Sequence, residues 1–325
     1  MKKNIAIIMG GYSSEVAISL KSGSVVYKHL DANKYNAYQI HILKDKWVLV
    51  DDNNQEYPIN KHDFSADVNG TNITFDCVFN AIHGAPGENG TILAYFDLIG
   101  LKHTSAPFYQ MALTFNKRDT LSVVKQYGIP AATSVYLNQG DIINIDKIID
   151  KVGLPCFVKP NNAGSSFGIS KVHTKEALLP AVEVAYKEDS EILIESFLDG
   201  TEVSVGVIQY KGSTKVLPIT EIVSENDFFD YEAKYEGKSQ EITPARLTES
   251  QEKRVTEVAK RVYEILNMSG FSRSEFIFVN DEPHFLEMNT VPGLTEASIL
   301  PQQANQAGIS LTELFGNAIE TTLKN

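Results

Sequence analysis

Asn4-Ile5-Ala6-Ile7-Ile8-Met9-Gly10-Gly11 opens the chain with an apolar run closed by two glycines. A short continuous run of this kind predicts a buried strand, with Gly10-Gly11 as the turn and Ser13 capping a helix that extends to about His29. A second run, Cys77-Val78-Phe79-Asn80-Ala81-Ile82, repeats the pattern. It ends in a loop of small and polar residues from His83 to Gly90 and leads into another helical stretch. This alternation predicts an α/β protein that opens with a parallel sheet. Ligands of open parallel sheets bind beyond the carboxyl ends of the strands, so Glu15 and His83 are expected to face one cleft from two such loops.

Further along, a helical segment from Tyr109 to Tyr127 precedes the strand-like runs Leu154 to Lys159 and Ile192 to Glu195, which together suggest a small α+β unit. Then come a strand from Glu202 to Gln209, a polar and aromatic loop from Glu225 to Pro244, and a helix from about Glu249 to Asn267. Val255, Val258, Ala259, Val262 and Leu266 recur at helical spacing, as do Leu311, Leu314, Phe315, Ala318, Ile319 and Leu323 in a final helix; both stripes read as core. The 325 residues exceed one ordinary core and suggest two or three compact units, with the chain falling into the segments 1–105, 106–195 and 196–325.

Composition excludes several classes. Apolar residues at 43% and charged residues at 22% describe a folded protein without disorder. The net charge of -12 and the lack of a long Lys/Arg run argue against nucleic acid. No stretch reaches the roughly 18 apolar residues of a membrane span, and Met1-Lys2-Lys3 precedes a run too short for a secretory signal. Cys77 and Cys156 sit in apolar runs and read as small buried hydrophobes. The cytoplasm is the expected compartment.

The richest pattern is a hairpin. Arg273-Ser274-Glu275-Phe276-Ile277-Phe278-Val279 turns at Asn280-Asp281-Glu282-Pro283 and returns as His284-Phe285-Leu286-Glu287-Met288-Asn289. A turn centred near Asp281 puts Glu275 within a residue of being opposite Glu287, and Asn289 on the same face as Glu287. Two close carboxylates repel in a low-dielectric cleft unless a cation lies between them, and hard oxygen ligands suit Mg²⁺. A second pattern joins Lys159, at the end of a buried strand, to the loop Pro160-Asn161-Asn162-Ala163-Gly164-Ser165-Ser166-Phe167-Gly168. Small side chains expose backbone N–H groups that can fold over phosphate oxygens while the lysine supplies charge. It is not a Walker motif: Gly237-Lys238-Ser239 has Glu232 where that motif needs glycine, and Gly10-Gly11 lacks the dinucleotide spacing. A third stretch, Ile192 to Glu202, has backbone near Phe197 and Leu198 suited to an adenine edge and Glu202 suited to ribose hydroxyls. Alone, each pattern has a plainer account: solvated glutamates on an edge hairpin, an ordinary surface loop, a generic strand and turn.

In this order, Gly10-Gly11 with Glu15, His83-Gly84 with Glu88, Lys117, the loop from Lys159 to Gly168, Glu195 to Glu202, Asp230-Tyr231-Glu232-Ala233-Lys234-Tyr235, Arg273 and Glu287 to Gly293 resemble the D-alanine-D-alanine ligase family of ATP-grasp enzymes. The resemblance spans nearly the whole chain. It implies an ATP-grasp fold in which ATP lies between the central and C-terminal units and the amino acids where these meet the N-terminal one. By position, Lys117, Lys159 and Ser166 would hold ATP phosphates, and Glu195, Phe197, Leu198 and Glu202 the adenosine. Glu275, Glu287 and Asn289 would hold two Mg²⁺ ions, with Mn²⁺ as a substitute. Glu15 and His83 would receive the first D-alanine, and Lys234, Arg273 and Ser298 the carboxylate of the second. Glu15, Ser165 and Tyr235 resemble a hydrogen-bonded chain near the reacting groups, while Arg273 and the Gly293 N–H would face the oxyanion.

The implied reaction turns a carboxylate into an acyl phosphate, which an amine then attacks, in peptidoglycan precursor synthesis by a homodimer. The loop from Glu225 to Pro244 would exclude water; its Phe228, Phe229 and Tyr231 equally suit plain packing against the body. Tyr235 matches relatives that use an amine rather than D-lactate as second substrate. Glu275 stands where aspartate is usual, Phe229 for a tyrosine, Ser196 for a lysine and Ala297 for a histidine, which leaves fine contacts open. Rival accounts are a ligase using D-serine or D-lactate as second substrate and a nucleotide-binding module without turnover.

Overall fold

The computed structural model describes residues 2–162, 164, 167–224 and 239–324. β1 (Lys3–Gly10) lies parallel to β2 (Tyr35–Ile42) on one side and, through Ile5 to Ile8, to β7 (Cys77–Asn80) on the other. A strand paired on both edges and covered on both faces has no polar face, which accounts for its unbroken apolar run. Ile5, Ile7 and Met9 pack with Val26 of α1 (Val16–His29) on one side, whereas Ala6 and Ile8 join a cluster with Phe64 and Phe96 on the other.

The sheet goes further than its parallel part. β3 (Trp47–Val50), β4 (Glu56–Asn60), β5 (Ser65–Val68) and β6 (Thr71–Ile73) extend it antiparallel beyond β2, giving seven strands in the order β6-β5-β4-β3-β2-β1-β7. After β7, the loop carrying His83 and Glu88 enters α2 (Thr91–Ile99). Ser13 is not the cap of α1: Glu15 holds that position, while the Ser13 hydroxyl accepts the Glu15 N–H at 3.2 Å and donates to the His83 carbonyl at 3.2 Å. Gly10 and Gly11, both at positive φ (103° and 106°), carry the turn past Ser13 and delay the helix.

The helix expected from Tyr109 to Tyr127 is two, α3 (Phe108–Phe115) and α4 (Lys117–Gln126). Asn116 breaks the pattern because its side chain accepts the Asp119 N–H at 2.9 Å and caps α4, so Lys117 becomes the first residue of that helix. There follow β8 (Ser134–Asn138), α5 (Ile145–Val152), β9 (Cys156–Pro160), β10 (Ser170–Val172), α6 (Leu178–Ala185) and β11 (Glu191–Ser196). The four strands form an antiparallel sheet in the order β10-β9-β11-β8. Cys156, Val158, Ile192 and Ile194 face the helices, leaving Phe157, Lys159 and Glu195 for the opposite face.

The third sheet contains β12 (Thr201–Tyr210), β13 (Ser213–Val216), β14 (Thr220–Ser224), β15 (Ser239–Ile242), β16 (Phe271–Val279) and β17 (Glu282–Asn289). Its order is β15-β14-β12-β16-β17, with β13 paired to β12. The segment taken as a loop to Pro244 therefore ends earlier: Ser239 to Ile242 pair with β14, and residues 225–238 lie outside the described residues, with Phe228, Phe229, Tyr231, Lys234 and Tyr235 among them. α7 (Glu249–Ile265) covers one face through Val255, Ala259, Val262 and Tyr263. Val258 is half-buried at its flank and Leu266 is buried just beyond its end. After α8 (Ile299–Gln306), α9 (Leu311–Lys324) returns to the first sheet, where Phe315 meets Phe79 with ring centroids 5.6 Å apart. Leu314, Phe315, Ala318 and Ile319 form its buried stripe. Both cysteines are buried and unpaired. Among the described residues, no helix is long and apolar enough to cross a membrane.

Candidate active site

The β16–β17 hairpin turns on Asn280-Asp281, with Val279 paired to Glu282. Both turn residues have positive φ (50° and 63°), the conformation of a type I′ turn whose twist matches the flanking strands. Regular pairing from that turn would set Glu275 opposite Leu286. A bulge between Glu275 and Phe276 instead brings Glu275 opposite Glu287 and Arg273 opposite Asn289. Leu286, the extra residue, joins Glu275 and Glu287 in lining one cleft.

That cleft lies between the second and third sheets. Lys117, at the start of α4, pairs with Glu287 at 3.2 Å, and Lys159 pairs with the buried Glu195 at 2.8 Å. Burial opposes the charge on Lys159, but the Glu195 carboxylate outweighs it and raises its pKa, so the ammonium persists. Glu202 lies across from Ile277 on neighbouring strands, and both line the cleft. Phe197 does not: its ring packs on Phe157 with Lys171 over its other side at 4.4 Å, and its N–H donates to the Pro155 carbonyl. Leu198, next along the chain, does line the cleft. Phe157, Ile169, Ile277 and Leu286 supply apolar walls absent from the residue-by-residue expectations. Two of them had a signal, since Phe157 is two residues from Lys159 and Ile277 two from Glu275, on the same faces.

A second cleft adjoins the first. Glu287 lines both, and Glu15, His83, Arg273, Asn289, Gly293 and Ser298 surround the second, with Lys21, Glu88 and Glu241 as residues not foreseen there. Glu15 sits where α1 begins, and a Cβ on Gly164 would lie 2.9 Å from one carboxylate oxygen of Glu15 and 3.0 Å from the other. The loop after Lys159 thus passes directly against Glu15, and any side chain at position 164 would push that carboxylate aside. Ser165 and Ser166, in the same loop, lie outside the described residues. His83 is buried beside Ser22, with Nε2 to Oγ at 3.0 Å; burial lowers its pKa against the opposing pull of Glu15. Burial, reinforced by the charge of Glu15, pushes the Glu88 carboxyl up to about 7, although it accepts N–H groups from Gly84, Thr290 and Val291. Arg273 is held by Glu275 through a short ion pair and donates to Ser204 at 3.0 Å.

These groups suit a divalent cation only in company. Among the described residues no three His, Cys, Asp or Glu side chains cluster as a ready cage. Glu275, Glu287 and Asn289 nonetheless offer two carboxylates and an amide, and Mg²⁺ on a nucleotide takes most of its ligands from phosphates and water. Among the described residues, the buried Asn289 amide nitrogen has no partner. A flip of that amide presents its oxygen at the same place, so the residues fit a phosphate-bound ion.

A four-stranded and a six-stranded sheet closing on a cleft of paired lysines and carboxylates define the ATP-grasp fold. The model of the D-ala D-ala ligase N-terminus matches residues 4–106, and that of the D-ala D-ala ligase C-terminus matches residues 123–320. The chain belongs to the D-alanine-D-alanine ligase family. It is 70% identical over 321 residues to a D-alanine-D-alanine ligase from Flavobacterium johnsoniae, covering 99% of each chain. Among solved structures, the VanG D-Ala:D-Ser ligase from Enterococcus faecalis is 31% identical with a TM-score of 0.85, covering 98% of this chain and 99% of that one. A Bacillus anthracis D-alanine-D-alanine ligase complexed with ATP is 28% identical with a TM-score of 0.80, covering 99% and 98%.

Proposed function

We propose that this protein joins two D-alanines into D-alanyl-D-alanine at the expense of ATP, through a D-alanyl phosphate, releasing ADP and phosphate for peptidoglycan precursor synthesis in the cytoplasm. The observation that carries this is the junction of the two clefts: Glu287 belongs to both, and the loop leaving Lys159 touches Glu15 through Gly164. A carboxylate held in one cleft therefore lies within reach of a phosphate chain in the other. The three units, 1–105, 106–195 and 196–325, would meet there.

In this account Lys117 and Lys159 hold ATP phosphates, with Ser166 of the same loop, while Glu195, Phe197, Leu198 and Glu202 line the adenosine end. Bound Mg²⁺ would offset the charge of the phosphates and of the developing acyl phosphate, held by Glu275, Glu287 and Asn289. Glu15 takes the ammonium of the first D-alanine, with the neutral imidazole of His83 behind it. The second carboxylate is assigned to Ser298, Arg273 and Lys234, and Ser165 and Tyr235 to the chain from Glu15 towards the reacting atoms. When the second amine attacks, a carbon–nitrogen bond forms, negative charge gathers on the former carbonyl oxygen, and phosphate leaves with its electron pair. Arg273 and the Gly293 N–H stabilise that oxyanion, in a site dry enough to strengthen both. A homodimer is part of the proposal.

The second substrate is the open choice, because a structural relative is named for D-serine. Incubation of purified protein with ATP, Mg²⁺ and equal D-alanine, D-serine and D-lactate, followed by mass detection, should give the alanyl dipeptide as main product. A serine-containing or ester product in excess would reassign the second substrate, and no ADP release with any of the three would leave only a binding module.

A further inference from the structure

We propose that Glu88 and Ser22 are positioning residues for the peptide-forming step: they take up the backbone N–H groups on either side of Gly293 and so aim the remaining one at the oxyanion. The inference rests on the assignment of the Gly293 N–H as an oxyanion donor given above.

The segment from Thr290 to Leu294 carries N–H groups on every residue but Pro292. Thr290 and Val291 donate theirs to one oxygen of Glu88, at 3.3 and 3.5 Å, and Leu294 donates to the Ser22 hydroxyl at 3.3 Å. Among the described residues the Gly293 N–H has no acceptor, and Gly293 lines the amino-acid cleft. The unclaimed donor is thus bracketed by two tethers.

Both acceptors belong to the N-terminal unit, Glu88 in the loop after β7 and Ser22 on α1, and both are themselves held. The other Glu88 oxygen accepts the Gly84 N–H at 3.0 Å, and Ser22, fully buried on α1, sits 3.0 Å from His83 Nε2. A Cβ on Gly293 would lie 2.7 Å from the Ser298 hydroxyl, so Ser298 closely flanks this peptide as well. An N–H lowers a barrier only if it already points where charge will develop, and a displacement of about 1 Å can lower a rate about 10²-fold. Two tethers from the unit that holds the first D-alanine register this N–H to the acyl group it must serve.

The test compares Glu88→Gln, which keeps the shape but replaces one acceptor oxygen by an NH2 donor, and Ser22→Ala with the unmodified protein and with Arg273→Ala. Dipeptide kcat, KM for ATP and the ratio of ADP released to dipeptide formed are measured. Each tether variant should lose about 10-fold in kcat, less than full loss of a donor, with KM for ATP unchanged and more than one ADP released per dipeptide, as acyl phosphate waiting for a misaligned donor is lost to water. The ratio belongs to turning-over enzyme, so a poorly folding variant does not move it. A fall in kcat with the ratio still at one would mean a merely structural brace and overturn the proposal. Unchanged kcat and ratio in both variants, with Arg273→Ala impaired, would overturn it while leaving the oxyanion assignment standing. Near-normal Arg273→Ala would remove Arg273 from the oxyanion assignment, and the tether variants would then decide this inference alone, a ratio of one overturning it.

Discussion

Arg273 is half-buried, is bound to Glu275 and Ser204, and lines the amino-acid cleft. Its guanidinium is therefore both neutralised at rest and fixed in place, which is the condition for a donor that acts at the transition state. Arg273→Ala should lower kcat about 10²-fold or more, as loss of one oxyanion donor does; steady-state dipeptide formation checks this, and turnover within twofold of normal would contradict it. Gly164 gives a test of a different kind. A methyl there meets the Glu15 carboxylate head-on, and that carboxylate, at the end of a flexible side chain, would shift. Gly164→Ala should raise the KM for the first D-alanine about tenfold, the size expected for a weakened charged hydrogen bond, without raising the KM for ATP. A change in the ATP constant alone would place the loop elsewhere. Residue types carried much of this: lysine before a small-residue loop, and paired glutamates with an asparagine in phase, were visible along the chain. The meeting of the start of α1 with the loop after β7 is legible from the strand ends, although Lys21 and Glu88 have no assigned place there, whereas nothing local in sequence says that Glu241 on β15 joins them.

At the level of elements, the hairpin was legible and its register nearly so. Alternation placed Glu275 within one residue of Glu287, but the bulge that closes the gap has no residue signature. The break at Asn116 was likewise hidden, since apolar spacing continues across it while the side chain switches from helix to cap. The start of α7 shows the opposite case. Thr248 accepts the Gln251 N–H and the Gln251 side chain reaches back to Thr248, a reciprocal cap written into sequence as Thr-x-x-Gln. Thr248→Ala should destabilise the protein by about 1 kcal/mol, read as a lower midpoint in denaturant with kcat unchanged. Loss of activity before loss of stability would mean that α7 does more than support the sheet.

The whole molecule brings a strand-and-turn site from one sheet against a cleft between two others, and that assembly was accessible through the order of motifs and not through any one of them. The antiparallel extension β3 to β6 is hard to read from sequence because β3 has only the four apolar residues Trp47 to Val50 and β4 to β6 are short and mostly polar. Residues 225–238 lie outside the described residues, so Lys234 and Tyr235 stay as assignments made from sequence. At this scale the carboxylates of the cleft are held by Lys117 and Arg273, and a phosphate-bound cation must compete with both. Chelation of divalent ions should therefore abolish turnover, and Mg²⁺ or Mn²⁺ should restore it; turnover persisting in excess chelator would exclude the metal role given to Glu275, Glu287 and Asn289.

The most direct measurement follows oxygen. D-alanine labelled with ¹⁸O in its carboxylate is converted with ATP, and the released phosphate is weighed by mass spectrometry. Attack of that carboxylate on the terminal phosphorus predicts one labelled oxygen in each phosphate. Phosphate carrying no label, with dipeptide nevertheless formed, would show that the carboxylate is activated some other way and would contradict the joining of the two clefts on which this account stands.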